Sequence, residues 1–153
     1  MSVCEFILNG TPVALECEPR RDLLDLLRNE LDLKGTRRAC TVGHCGACHV
    51  LVDGRSIAAC ETPAWSIGGK TVTTIEGLGT AQQPHPLQRA FIAEQAAQCG
   101  YCTSGMLIAA AALLDREPQP TEARVREALA RHLCRCGSHN RIVRAVLRAA
   151  SQS

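Results

Sequence analysis

Aromatic residues are scarce: the 153 positions hold two phenylalanines, one tyrosine and one tryptophan. With 46% of the residues hydrophobic, a core can still form, but it must be aliphatic and rich in alanine. The length suits one compact domain or two small ones. Charge of one sign is scarce too. The formal net charge is +2, and binding a phosphate backbone requires a clustered cationic surface, so no nucleic-acid partner is expected. Long apolar runs are missing. The longest, Met106 to Leu114, has nine residues, against roughly 20 for a membrane span, and it reads as a buried helix. The opening residues Met1-Ser2-Val3-Cys4-Glu5 show no basic segment followed by an apolar one, so no signal peptide is expected. The expected location is cytoplasmic, with export beside a signal-bearing partner left open. No nucleophile–base pair and no paired carboxylates stand out. Gly77-x-Gly79 opens no strand–helix unit of the nucleotide-binding kind.

Cysteine is the exception to this scarcity. Ten cysteines stand at positions 4, 17, 40, 45, 48, 60, 99, 102, 134 and 136. In a secreted chain such a count suggests disulfides, whereas in a reducing compartment grouped cysteines more often bind metal. The spacing has to decide.

The first half reads as strands around one helix. Val3–Leu8 and Val13–Cys17 are strand-like runs joined by Asn9-Gly10, a strong hairpin signal. Asp22 can cap a helix from Leu23 to about Leu31. A glycine- and cysteine-rich loop runs from Lys34 to Cys48. Strands follow at His49–Val52, from the Asp53-Gly54 turn to about Cys60, and at Lys70–Ile75. Beyond a linker at Thr80–Pro86 the pattern is helical, with helices expected at Leu87–Ala97, Thr103–Leu114, Glu122–Leu133 and Arg141–Ala150. Thr121 is a candidate N-cap. A helix across a small sheet, followed by helices, is an α+β arrangement.

The first cysteine set is Cys40-x4-Cys45-x2-Cys48, then, after eleven intervening residues, Cys60. This is the plant-type ferredoxin spacing for a 2Fe–2S cluster. Three thiolates must reach one small cluster from one tightly curled loop that also points N–H groups at sulfur. Gly43 and Gly46 can take the positive φ angles this requires. Zinc, which prefers knuckle-like pairs, fits the loop poorly. The second set is Cys99-x2-Cys102, then Cys134-x-Cys136. Cys99 and Cys102 fall where a helix begins, facing free N–H groups. Cys134 and Cys136 are expected to close the Glu122–Leu133 helix, with Gly137 as its stop. On spacing alone this second set leaves a redox C-x-x-C, a zinc site and a cluster all open.

Several stretches together resemble one family. Cys45-Gly46-Ala47-Cys48 followed by Val50-Leu51-Val52-Asp53-Gly54, then Gln98-Cys99-Gly100-Tyr101-Cys102, then Leu133-Cys134-Arg135-Cys136-Gly137 are similar to the small iron–sulfur subunit of molybdenum hydroxylases. This is the xanthine dehydrogenase and aldehyde oxidoreductase family, and the small subunits of isoquinoline and nicotinate dehydrogenases look nearest. The resemblance spans about residues 3 to 150. It implies a ferredoxin-like β-grasp domain over residues 1–78 and a four-helix domain over 79–153, with two 2Fe–2S clusters on Cys40, Cys45, Cys48 and Cys60 and on Cys99, Cys102, Cys134 and Cys136. It further implies a large partner subunit carrying molybdopterin, as the cytosine dinucleotide, that hydroxylates a nitrogen heteroaromatic or oxidises an aldehyde. Electrons would pass through the helical-domain cluster, then the ferredoxin-like one, to a flavin subunit or a cytochrome, with FAD or haem as acceptor. Gln98 would sit beside the pterin, though a plain helix-end amide is its other reading. Thr41, Ser104 and His139 depart from the family's usual glycine, proline and tyrosine, and none of these changes removes a ligand.

The remaining candidates have plainer readings. His44 lies between two ligands, as a Rieske histidine does, but with four cysteines at hand it reads as an exposed loop residue. His49, His85, His132 and His139 show no metal-like grouping. Cys4 and Cys17 read as small buried residues. Arg141, Arg144 and Arg148 form a basic stripe, read as a solvated helix face or a partner contact. Two rival functions remain: a zinc-stabilised interaction module, which would be colourless, and a free-standing ferredoxin, whose surface is usually strongly acidic.

Overall fold

A computed structural model describes residues 1–152. Strands β1 (Ser2–Leu8) and β2 (Thr11–Cys17) form the expected antiparallel hairpin. Asn9 and Gly10 both take positive φ, 49° and 83°, the geometry that matches the twist of the flanking strands. Cys4, Phe6 and Leu8 alternate inward along β1, as a pleated strand with one buried face requires.

Asp22 caps the next segment, its Oδ1 accepting from the Asp25 N–H at 2.8 Å. The expected single helix is instead a short α1 (Leu23–Asp25) that widens into a π-turn over Leu26–Glu30. The Leu31 N–H reaches back to Leu26 O at 3.0 Å. Leu23, Leu24, Leu26 and Leu27 are all fully buried. That apolar arc is wider than one α-helical stripe, and the widened turn accommodates it.

Strands β3 (His49–Val52) and β4 (Arg55–Ala58) pair antiparallel across Asp53-Gly54. β4 stops short of the expected end, and Cys60 lies on a 3-10 turn, Ala59–Glu61. A second 3-10 turn covers Ala64–Ile67. β5 (Thr71–Thr73) is shorter than expected, because Ile75 already starts the small helix α2 (Ile75–Leu78). The five strands lie in the order β2-β1-β5-β3-β4. Among the described residues the one parallel pair, β1 with β5, is made possible by the long excursion through the cysteine loop. The leucines of the α1 segment and Phe6, Val50, Val52 and Val72 form the first core.

The second half is a bundle of α3 (Pro86–Ala93), α4 (Thr103–Arg116), α5 (Glu122–Ala128) and α6 (His139–Ser151). Residues Ser104 to Leu113 of α4 are all buried, so α4 is the bundle's central helix. Among the described residues no helix is long and apolar enough to cross a membrane. α6 buries Ile142, Val143, Ala145, Val146, Ala149 and Ala150 on one face. Its opposite face carries the arginine stripe, where Arg144 and Arg148 reach Glu94 at 3.6 and 3.1 Å. Such exposed pairs add little stability. The resulting core is aliphatic and alanine-rich, as the composition requires.

Two helices are shorter than periodicity suggests. α3 stops at Ala93, where Gln95 turns the chain with φ 48°. α5 stops at Ala128, though Thr121 does cap it, its Oγ1 accepting from the Arg124 N–H at 3.3 Å. Cys134 and Cys136 therefore do not end a helix. They lie in the turn that leads into α6, and Gly137, with φ 73°, shapes that turn rather than stopping α5.

α3 begins on a titratable cap. His85 Nδ1 accepts from the Leu87 N–H at 3.1 Å, and Gln88 Oε1 accepts from the His85 N–H at 2.8 Å. Burial, and then the charge of Arg89, hold the imidazole below its usual pKa. The folded chain therefore binds this proton less readily than the unfolded one. The cap's contribution is present above the usual value of about 6.5 and is lost as pH falls through the lowered folded value. His85→Asn keeps a capping acceptor and should flatten this acid limb in thermal melts, whereas His85→Ala should cost about 1 kcal/mol at neutral pH.

Candidate metal centres

The first cysteine set is built by the loop before β3 and by the turn after β4. Cys40 Sγ accepts from three backbone N–H groups, those of Val42 at 3.5 Å, His44 at 3.3 Å and Cys45 at 3.4 Å. Cys45 Sγ accepts from the Ala47 N–H at 3.5 Å. The curl that aims these groups uses positive φ at Gly43 and Gly46, 71° and 77°. Thr41, at φ 60°, holds a left-handed angle that costs a β-branched residue most. His44 is exposed, and its contact to the site is its backbone N–H.

The thiols lie in pairs. Cys40 interacts with Cys45, and Cys48 with Cys60. The Val42 N–H, ahead of the opposing effect of burial, and then the other two N–H groups lower the Cys40 pKa to about 6. Cys48 behaves oppositely, burial pushing its thiol up to about 12.

The second set joins the chain before α4 to the turn before α6. Cys99 interacts with Cys136, and Cys102 with Cys134. The pairs also feel each other, since Cys99 interacts with both Cys134 and Cys102. Cys102 is the N-cap of α4. The Tyr101 N–H donates to Cys99 Sγ and the Ser138 N–H to Cys134 Sγ, each at 3.5 Å. At Cys134 burial acts upward, but the Ser138 N–H and the neighbouring Cys102 outweigh it and bring the pKa to about 7. Burial holds Cys102 at about 12. Gln98 is exposed at the rim of this set, its Nε2 donating to Cys136 O at 3.3 Å.

This donor chemistry fits a two-iron group. Each iron of a 2Fe–2S cluster takes two thiolates, and both sets present thiols two by two. Buried Cys48 and half-buried Cys102 would become thiolates readily only with a cation lying against them, the usual coupling of metal binding to pKa. The N–H groups aimed at Sγ are the kind of hydrogen bond that tunes such clusters.

Cys4 on β1 and Cys17 on β2 lie apart from both sets, both buried, with Cys4 Sγ donating to Ala64 O at 3.2 Å. Tyr101, Gly105 and His132, which have no evident site role in the sequence, all lie between the two sets. The C-x-x-C frame around Tyr101 and the glycine three residues after Cys102 are the only signals that point there. His132 is buried, with its ring 4.5 Å from that of His49.

Comparison with known proteins agrees with the chemistry. Residues 6–67 match the family model described as a 2Fe-2S iron-sulfur cluster binding domain, and residues 74–147 one described as a 2Fe-2S binding domain. Two unlike cluster-binding domains in tandem define an electron-carrying iron–sulfur protein. The chain is 50% identical to a nicotinate dehydrogenase subunit of Pseudomonas putida, over 94% of this chain and 91% of that one. It is 49% identical to the alpha subunit of isoquinoline 1-oxidoreductase of Brevundimonas diminuta, over 97% and 98%. The crystal structure of quinoline 2-oxidoreductase from Pseudomonas putida 86 contains a chain with TM-score 0.93 and 36% identity, covering 98% of this chain and 94% of that one. The chain belongs to the small iron–sulfur subunits of the molybdenum hydroxylase family, with their ferredoxin-like β-grasp domain and helical domain. It is the electron-transfer subunit of an oxidoreductase complex.

Proposed function

We propose that the chain relays electrons from the molybdopterin of the large subunit to a flavin subunit or a cytochrome, within a complex that hydroxylates a nitrogen heteroaromatic compound. The aldehyde alternative is less favoured, because the relatives above are named for nicotinate, isoquinoline and quinoline. Cys40, Cys45, Cys48 and Cys60 would hold one cluster in residues 1–78. Cys99, Cys102, Cys134 and Cys136 would hold the other in residues 79–153. The carrying observation is the grouping of eight thiols into two separate sets of paired sulfurs, each supplied with backbone N–H donors. When bound, each cluster accepts and returns one electron. The chain's own residues keep the thiolates in place and direct N–H groups at them.

Gln98 is proposed as the residue facing the pterin, as the cytosine dinucleotide form, because its amide is exposed beside Cys136. We place the complex in the cytoplasm, whose reducing conditions would keep the ligand cysteines and the buried Cys4 and Cys17 as thiols.

The test is the native complex, purified without oxygen. Two irons and two acid-labile sulfides per cluster are expected, together with two distinct reduced-state signals. Turnover with nicotinate- or isoquinoline-type rings should exceed turnover with aldehydes. An iron-free but intact small subunit would overturn the electron-transfer reading, and preferential aldehyde turnover would overturn the substrate assignment.

A further inference from the structure

The two halves of the chain meet where the ligands are. The peptide between Cys45 and Cys48 is gripped from three directions by segments that carry Cys102 and Cys134. From one side Gly105, in the first turn of α4, rests on the backbone of Gly46 and Ala47. A Cβ at Gly105 would fall inside contact distance of Gly46 O, and within 3.0 Å of Gly46 C and 3.2 Å of Ala47 Cα. All three atoms are backbone, so no side chain can swing away. From the other side the His132 ring lies against Gly46, where a Cβ would come within 2.5 Å of Cδ2. Along the edge, the Leu133 N–H donates to Cys45 O at 3.0 Å.

Tyr101 adds a strap. It stands between Cys99 and Cys102, and its hydroxyl donates to Arg38 O, two residues before Cys40. The Arg37 guanidinium lies over the Tyr101 ring, 5.6 Å from its centroid. The Arg37 N–H in turn donates to Ala47 O at 3.3 Å. The Tyr101 side chain thus ties the segment of the second set to the start of the first loop, which the Arg37 N–H in turn joins to its far end. A cavity of about 390 Å³ between the two sets is lined by Cys45 on one side, by Cys99, Cys102 and Cys134 on the other, and by Tyr101.

We infer that Gly105 and Tyr101 are positioning residues that set the separation of the two clusters. Gly105 does so by letting α4 touch the Cys45–Cys48 peptide directly, and Tyr101 by strapping the Cys99–Cys102 turn to the Cys40 loop. The inference rests on the ligand assignment above but concerns a different property, the distance between centres rather than their existence. Electron exchange and magnetic coupling between two centres both fall steeply with separation. A residue without Cβ at position 105 is therefore a requirement of speed as well as of packing.

The test uses the whole complex with Gly105→Ala and Tyr101→Phe. Iron content and the position of each reduced-state signal report whether both clusters remain. The splitting between them in the fully reduced protein, and the rate of transfer from one to the other, report their separation. Gly105→Ala should keep both signals, reduce the splitting and slow the transfer severalfold. Tyr101→Phe, which deletes only the hydroxyl, should broaden the splitting and slow transfer less. A Gly105→Ala complex with full iron, unchanged splitting and unchanged transfer would overturn the inference. If that variant does not assemble, Tyr101→Phe decides alone, and an unaltered splitting and rate would count against the strap. If the unsubstituted complex lacks two cluster signals, the ligand assignment fails instead, and the two failures are told apart.

Discussion

Cys134→Ser is expected to erase one of the two reduced-state signals and leave the other unchanged, with half the iron lost. Serine is nearly isosteric but a poor ligand. Its hydroxyl is far harder to ionise than a thiol, and soft thiolate is what holds iron–sulfur clusters. Cys134 is among the more easily ionised thiols of its set, at about 7, because the Ser138 N–H and Cys102 outweigh burial there. Its loss also leaves half-buried Cys102 without its paired thiol. The first set draws no sulfur and no Sγ-directed N–H from residues 99 to 138, so its signal should persist. Turnover from substrate to acceptor should fall by orders of magnitude, since a relay in series stops when one station is missing. Reduction of the molybdenum centre by substrate should survive in a single turnover. Losing both signals, or neither, would mean that the two sets are not independent centres.

Much of this was legible in the sequence, for physical reasons that can be named. The β1–β2 hairpin followed from Asn9-Gly10, because few dipeptides tolerate two consecutive positive φ angles. That Cys40, Cys45 and Cys48 share one tightly curled loop followed from their spacing. The long burial of α4 followed from an unbroken apolar run. Periodicity misleads where helix length is decided by tertiary contact. Residues 129 to 133 have helical composition, yet Leu133 gives its N–H to Cys45 O across the domain boundary and His132 packs on Gly46. No local pattern contains those partners. A helix extended through these residues would put Cys134 and Cys136 at its end, whereas they occupy the turn into α6. The same blindness hid Gly105, whose glycine is required by a backbone some sixty residues away. The division at residue 78 is harder to read for a related reason. Ile75 and Leu78 sit in the β-rich segment by sequence, but they pack on the helical core.

Electrostatics divides the thiols within each set in a way that sequence could not show. In each, one thiol is eased toward thiolate by N–H groups and another is held neutral by burial. Holding a cluster would require both kinds as thiolates, so loading would release protons and would be favoured by mild alkalinity.

The sharpest test of the domain seam is Gly46→Ala, which should abolish the first cluster's signal and loosen the contact between the halves. Two costs add. The left-handed φ of 77° charges a residue with a Cβ about 1–2 kcal/mol. The new methyl also meets the His132 ring within 2.5 Å, and that ring is buried to 4% exposure, so it cannot swing out to solvent. Overpacking of this kind costs about 1–3 kcal/mol. The sum, about 2–5 kcal/mol, is a large share of the 5–15 kcal/mol that holds a typical domain together. It falls on the loop that must present Cys45 and Cys48 together. Gly54→Ala is the control. Its φ is 79°, and nothing lies within 4 Å of the added Cβ, so it bears the backbone cost alone and should keep full iron. Gly46→Ala combined with His132→Ala should recover the overlap portion but not the backbone portion. In a double-mutant cycle that recovery appears as a favourable coupling between the two sites. A double mutant no better than the sum of its parts would show that His132 does not press on Gly46, and that the seam is looser than the packing implies.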